Sequence, residues 1–260
     1  MNIIIFSKNR ACQLELLLRS MATYMPSEKV IVLYTHDPEF KAAYTKLMKM
    51  YPAIQFVLET NMKNQIIAAM KGRYTLFLVD DDVMIRKFPK KSTEFSEFKT
   101  NDRILSFNIG LGRNYDYDFL KNRHVPIPEF KNGTWEWQKY RHDWGFPMGI
   151  GLDIYRTHDL LPVIKSINFT SIHDLERGIR GKIDKPLMIG FKKAKIINIP
   201  SNRVTSSLHR TGNISPAFLN EKFMNGYIID LNDIVKMAKD ARSFFMLMDY
   251  KWMKAKSRHK

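Results

Sequence analysis

Tyr74-Thr75-Leu76-Phe77-Leu78-Val79-Asp80-Asp81-Asp82 runs an apolar stretch of strand-forming residues straight into three carboxylates. An unbroken apolar run of this length fits a strand buried on both faces. Upstream, 2–7, 30–34 and 54–58 are runs of the same kind, and 13–21, 40–50 and 64–71 carry apolar residues at helical spacing. Strand, helix, strand, helix, strand, helix, strand is the pattern of a parallel sheet covered by helices. The expected class is α/β, with a Rossmann-like, mainly parallel sheet and helices on both faces. In such sheets ligands bind beyond the carboxyl ends of the strands, where Asp80, Asp81 and Asp82 stand.

Beyond residue 100 the pattern changes. Residues 104–109 read as a strand, 110–145 as an irregular aromatic stretch, 152–165 and 171–180 as helices, and 195–199 as a strand ended by Pro200. Residues 232–254 read as an apolar-striped basic helix. No Gly/Ser- or Pro-rich linker divides the chain. One domain is expected over 1–260, with a ligand-binding part at 1–100, a second half at 101–230, and a C-terminal helix with a basic tail at 231–260.

The 260 residues are 45% hydrophobic and 26% charged, and include 17 Phe, 11 Tyr and 4 Trp. That much apolar surface excludes a disordered chain. A single cysteine, Cys12, excludes an intrachain disulfide framework. No apolar run is long enough to span a bilayer. The first residues have no basic n-region or small-residue cleavage site, so a cytoplasmic location is expected and the sequons at Asn132, Asn168 and Asn213 carry no meaning. The formal net charge is +16. It favours anionic partners: nucleotide phosphates, nucleic acid or an anionic membrane. A general solubility charge is the plainer explanation.

Three adjacent carboxylates repel one another and call for a cation. A hard divalent ion, Mn²⁺ or Mg²⁺, suits oxygen ligands, and it would neutralise charge on a departing diphosphate. Solvated surface carboxylates are the alternative, less attractive behind an apolar strand. Neither a P-loop nor a Gly-x-Gly-x-x-Gly fingerprint is present; Gly110-Leu111-Gly112 and Gly149-Ile150-Gly151 are too short to count. Phosphates must then be held by side chains and the metal. A nucleic-acid-binding module would explain the charge and the interleaved aromatics, but has no recognisable motif and leaves the aspartates unexplained. A nucleotidyltransferase or nucleotide-sugar hydrolase could use the same carboxylates.

An aspartate cluster closing the fourth strand resembles the DxD motif of the GT-A glycosyltransferases. Phe6-Ser7-Lys8-Asn9-Arg10 with the following leucine-rich helix, Asn61-Met62-Lys63-Asn64-Gln65, Leu78-Val79-Asp80-Asp81-Asp82-Val83, and Gly149-Ile150-Gly151 followed by His173-Asp174-Leu175-Glu176 together resemble the exostosin-like branch, over roughly residues 1–200. The segment from Asn202 to Asn220 is similar to small viral and bacterial glycosyltransferases, and a virus-encoded enzyme of the chlorella-virus kind is the expectation.

The resemblance implies a GT-A fold and metal-dependent transfer of a sugar from a nucleoside diphosphate sugar to a glycan. UDP is favoured over GDP, and retention over inversion. It implies that Ser7 and Arg10 contact the nucleotide, that Asn61 and Asn64 hold base or ribose, and that Asp80 and Asp81 meet ribose or sugar. It makes Asp82 and His209 metal ligands, with Arg210 stabilising the diphosphate. Asp174 would serve as general base, orient the acceptor or stabilise an oxocarbenium-like state; the alternative is an aspartate near a helix N-terminus, interacting with its dipole. Trp135, Trp137 and Trp144 offer flat rings for an acceptor sugar, or fill the core of a loop-rich half. Nucleic acid is not an expected partner. Peripheral membrane contact would run through the basic C-terminal helix.

Overall fold

The computed structural model describes residues 1–26, 28–147, 149–204 and 210–255. The first part alternates as expected: β1 (Asn2–Lys8), α1 (Ala11–Tyr24), β2 (Lys29–Thr35), α2 (Lys41–Met50), β3 (Gln55–Leu58), α3 (Met62–Ala69), β4 (Tyr74–Val79) and β5 (Asp82–Met84). There follow α4 (Thr93–Thr100), β6 (Ile104–Asn108), β7 (Tyr117–Asp118), β8 (Arg123–His124), β9 (Thr134–Glu136), β10 (Asp153–Arg156), α5 (Thr157–Ser166), α6 (Ile172–Ile179), β11 (Leu187–Gly190) and β12 (Ile196–Asn198). The chain closes with α7 (Pro216–Met224), β13 (Tyr227–Ile229), α8 (Leu231–Met237) and β14 (Trp252–Lys254).

Eight strands form one sheet in the order β3-β2-β1-β4-β10-β6-β11-β9. Six run the same way; β10 and β9 are antiparallel to their neighbours. Alternation along β1 shows why its run is apolar throughout. Ile3 and Ile5 enter one core with α1 and α2, and Ile4 and Phe6 enter the other with α3, α5 and α6. Burying such a side chain contributes about 1.5–3 kcal/mol, which commits both faces of the central strand. The α/β class, with its mainly parallel sheet covered on both faces, is what the chain adopts. The larger core runs from Ile3 to Phe244, so the C-terminal elements pack into the same body as the first strands. No helix among the described residues is long and apolar enough to cross a membrane.

Two expectations are corrected. Residues 152–165 are not one helix: Asp153–Arg156 is a strand inserted between β4 and β6, and α5 starts at Thr157. Ile154 and Tyr155 fill opposite cores, and the buried Arg156 guanidinium donates to the carbonyls of Ile104, Phe98 and Asn101. Those contacts come from partners some fifty residues away and override the local helical pattern. Residues 232–254 are not one helix either. The α-helix ends at Met237; the amide of Asn198 donates to the Phe244 carbonyl at 2.9 Å, and Met246 N donates back to Asn198 O at 3.0 Å. Beyond that, β14 pairs with β13. A straight helix would bury one stripe, whereas this path buries Ala238, Ala241, Ser243 and Phe244 and also satisfies strand hydrogen bonds.

Candidate active site

The chain leaves β1 towards β2 and β3, then returns to β4 on the other side of β1. The carboxyl ends of β1 and β4 therefore flank the point where strand order reverses, the place where such sheets bind ligands. The turn after β1 is built for this position. Asn9 adopts a left-handed φ of 57°, and it exchanges two hydrogen bonds with Asp37 at the end of β2, at 2.6 and 2.8 Å. Ser7 is buried, sharing a 2.6 Å hydrogen bond with the Tyr44 hydroxyl, which also accepts from the amide of Arg10 at 3.2 Å.

Arg10 is the centre of the arrangement. Its Nη1 donates to Asp80 Oδ1 at 3.0 Å and Asp81 Oδ2 at 2.9 Å. Its Nε and Nη2 donate to the side-chain and main-chain oxygens of Asn202 at 2.8 and 2.5 Å. Asp80 Oδ2 accepts from the Lys8 amide at 3.0 Å, and Asp82 Oδ2 from the Val79 amide at 2.8 Å. Asn198 Nδ2, opposite Asp82 in the β5–β12 pair, donates to Asp81 Oδ1 at 2.8 Å and Asp82 Oδ1 at 2.9 Å. All six carboxylate oxygens thus have donors, and the guanidinium pairs with two of the three carboxyl groups. Burial pushes the Asp80 carboxyl up to about 6, with Arg10 opposing and Asp81 reinforcing the shift. Burial, helped by Asp81, also raises Asp82 well above the ordinary range. Burial works against the Arg10 charge, but Asp81 and Asp80 outweigh it and keep the guanidinium protonated.

The cluster offers the oxygen ligands that a hard divalent cation takes, and a cation at Asp81 and Asp82 would replace the Asn198 and Arg10 hydrogen bonds they now accept. Among the described residues no group of three or more His, Cys, Asp or Glu side chains is arranged to hold a metal ion. His209 lies outside the described residues.

The second wall is the segment Gly149-Ile150-Gly151. Gly151 has φ +98°, and a Cβ there would sit 3.1 Å from Asp82 Oδ2, so both backbone conformation and space call for glycine. The Ile150 amide donates to Glu176 Oε1 at 3.0 Å, and the Gly149 amide to Asp153 Oδ2 at 3.1 Å. Burial raises the carboxyl of Glu176 above its ordinary value and that of Asp153 to about 7. Asp174 has a different setting. It stands in the first turn of α6, where the N-cap Ser171 hydroxyl accepts from its amide at 3.1 Å and donates to its Oδ2 at 2.7 Å. Glu176, rather than Asp174, is bonded to the segment over Asp82.

Asn61 caps α3, accepting from the Asn64 amide at 3.1 Å; both asparagines are exposed at the carboxyl end of β3, on the same rim as Asp80. Arg210 is not at the aspartates: its guanidinium donates to Asn122 at 3.3 Å and lies 4.9 Å over the Phe119 ring. Trp135 and Trp144 correct the reading of an open sugar platform. Each is 2% exposed, their rings meet edge to face at 5.3 Å, and both indole N–H groups donate to buried carbonyls. Trp137, half-buried, donates to Lys185 O. Sequence reading missed Asn198, Asn202 and Tyr44 as site members. The one available signal was Asn198, a polar residue within the apolar run 196–199.

No family model matches the chain. It is 29% identical over 192 residues to the bifunctional glycosyltransferase pgtA of Dictyostelium discoideum, covering 64% of this chain and 25% of that protein. The chain therefore spans a quarter of that relative's length. Among solved structures, S. aureus TarS 1-349 has a TM-score of 0.49 at 18% identity, covering 77% of this chain and 61% of that one. A cytidylyltransferase from Leptospira borgpetersenii has a TM-score of 0.45 at 11% identity, covering 92% and 93%. At such scores and identities neither structure assigns a function.

Proposed function

We propose that this chain is a glycosyltransferase of the GT-A type, moving a sugar from a nucleoside diphosphate sugar to a hydroxyl of a glycan acceptor. The observation that carries the reading is the buried aspartate cluster, braced by Arg10 and Asn198, at the strand-order reversal between β1 and β4. The similarity to pgtA over 192 residues supports the same chemistry.

Arg10 holds Asp80 and Asp81 in one orientation and keeps a positive charge beside any diphosphate that enters. Asp80 presents carboxylate oxygen to ribose or sugar hydroxyls at the end of β4. Asp81 and Asp82 would hold Mn²⁺ or Mg²⁺, which when bound supplies charge neutralisation at the leaving diphosphate. Glu176, whose carboxyl burial raises, would orient the acceptor or take its proton; Asp174 is the competing carboxylate. UDP is the first nucleotide to test and GDP the second. Retention, membership of the exostosin-like branch and viral origin follow from the resemblance.

The test is a screen of nucleotide sugars with glycan acceptors, with Mn²⁺ and with excess EDTA. Sugar found on the acceptor together with released nucleoside diphosphate is the expected result, with turnover lost in EDTA. Transfer of the nucleotide instead would make the chain a nucleotidyltransferase. The anomeric configuration of the product, read by NMR, decides retention or inversion.

A further inference from the structure

α7 and the antiparallel β13–β14 pair form a surface in which apolar groups and lysines alternate. Phe218 is 43% exposed, and Met224 and Met253 are 42% and 37% exposed. Lys222 Nζ lies 5.3 Å from the ring centroids of both Phe218 and Tyr227, and 6.0 Å from that of Trp252. Lys254 Nζ lies 3.9 Å from the Tyr227 centroid. The charges facing this surface are mostly positive. Glu221 is exposed one turn along α7, and Lys251 is paired with Asp233 at 2.5 Å. The chain continues with Lys256, Arg258 and Lys260. None of these groups belongs to the aspartate site.

We propose that this face docks on an anionic phospholipid bilayer. Aromatic and thioether side chains beside lysines are what the headgroup boundary takes up: rings and methionines enter the apolar side, and ammonium groups meet lipid phosphates. The +16 net charge supplies the attraction. Single-stranded nucleic acid fits less well. Base stacking needs open ring faces, whereas Lys222 and Lys254 lie over the Tyr227 ring, and Trp252 meets Phe218 at 83° and Tyr250 at 80°, which leaves no parallel platform. The expected contact thus lies on α7 and the β13–β14 strand pair, not on the long basic helix that the sequence led us to expect. It is independent of the proposed transfer reaction.

The test is sedimentation of the full chain with vesicles of equal parts phosphatidylglycerol and phosphatidylcholine, against phosphatidylcholine alone, at low and high salt. Binding to the anionic vesicles only, weakened by salt, is expected. Lys222→Glu with Lys254→Glu should cut partitioning at least about tenfold, since one lysine near an anionic surface is worth about fivefold. Phe218→Ser with Met224→Ser should also cut it, at an unchanged melting temperature. Charge reversal at Lys256 and Arg258 alone should leave measurable binding. The proposal is overturned if patch variants bind like the parent chain, or if only the tail reversals abolish binding. It is equally overturned if the protein binds a single-stranded RNA oligomer but neither kind of vesicle.

Discussion

The carboxyl rim of β1 and β4 buries charge, while the segment from Phe130 to Trp144 buries aromatic rings. At the rim, Asp80, Asp81, Asp82 and Arg10 are held by side chains and amides from three separate stretches of chain, and the guanidinium pairs with two of the three carboxyl groups. In the aromatic segment, Phe130, Trp135 and Trp144 meet edge to face within 6 Å, and every indole N–H in that cluster reaches a carbonyl. The first arrangement costs stability, the mark of a candidate ligand site. The second is complete in itself, and its return is packing. Unbalanced charge, not residue type, separates a site from a core.

The sharpest way to break this comparison is Trp144→Ala. A packing role implies a loss of about 3–5 kcal/mol in unfolding free energy, measured by denaturant titration. Unchanged stability with weakened acceptor affinity would return the ring to the site. Next, Asp81→Asn should lower sugar transfer by about 10²–10³-fold, the scale of losing one electrostatic stabiliser, with little change in melting temperature. If the variant unfolds instead, the rim is structural.

The two acceptor-side carboxylates come third. Glu176→Gln keeps an acceptor for the Ile150 amide and removes the charge, and should slow transfer by about 10²-fold. Asp174→Asn should stay within a few-fold, because asparagine also serves a helix start. Kinetics with these effects interchanged would move the role to Asp174. The smallest effect concerns pH. The folded carboxyl of Glu176 titrates above its ordinary value of 4.5, so the folded state binds its proton more tightly than the unfolded chain. Its contribution to stability is full below about pH 4.5, and falls as pH rises towards the raised folded value. Thermal midpoints of Glu176→Gln should therefore decline less across that window than those of the parent chain. Parallel curves would place Glu176 in solvent.

Much of the first half was legible. Runs such as 2–7 and 74–79 can only be satisfied with both faces covered, so strand identity and the position of the aspartates follow locally. Asp153–Arg156 was not legible, because its strand state comes from pairing with β4 and β6. The pairing of Arg10 with Asp80 and Asp81 joins residues 70 and 71 positions apart, and the bracing by Asn198 joins residues 116 and 117 apart. Residue spacing carries no signal for either.

The sequence by itself determined the α/β class, the order of the first four strands along the chain, and the carboxylates at the end of β4, because burial on two faces and alternation are local properties of a strand. Only the tertiary structure decided which cation faces those carboxylates, which of Asp174 and Glu176 reaches the wall above them, and that Trp135 and Trp144 are core. Those outcomes depend on contacts between segments far apart in the chain, and on whether a polar atom finds its partner once water has been excluded.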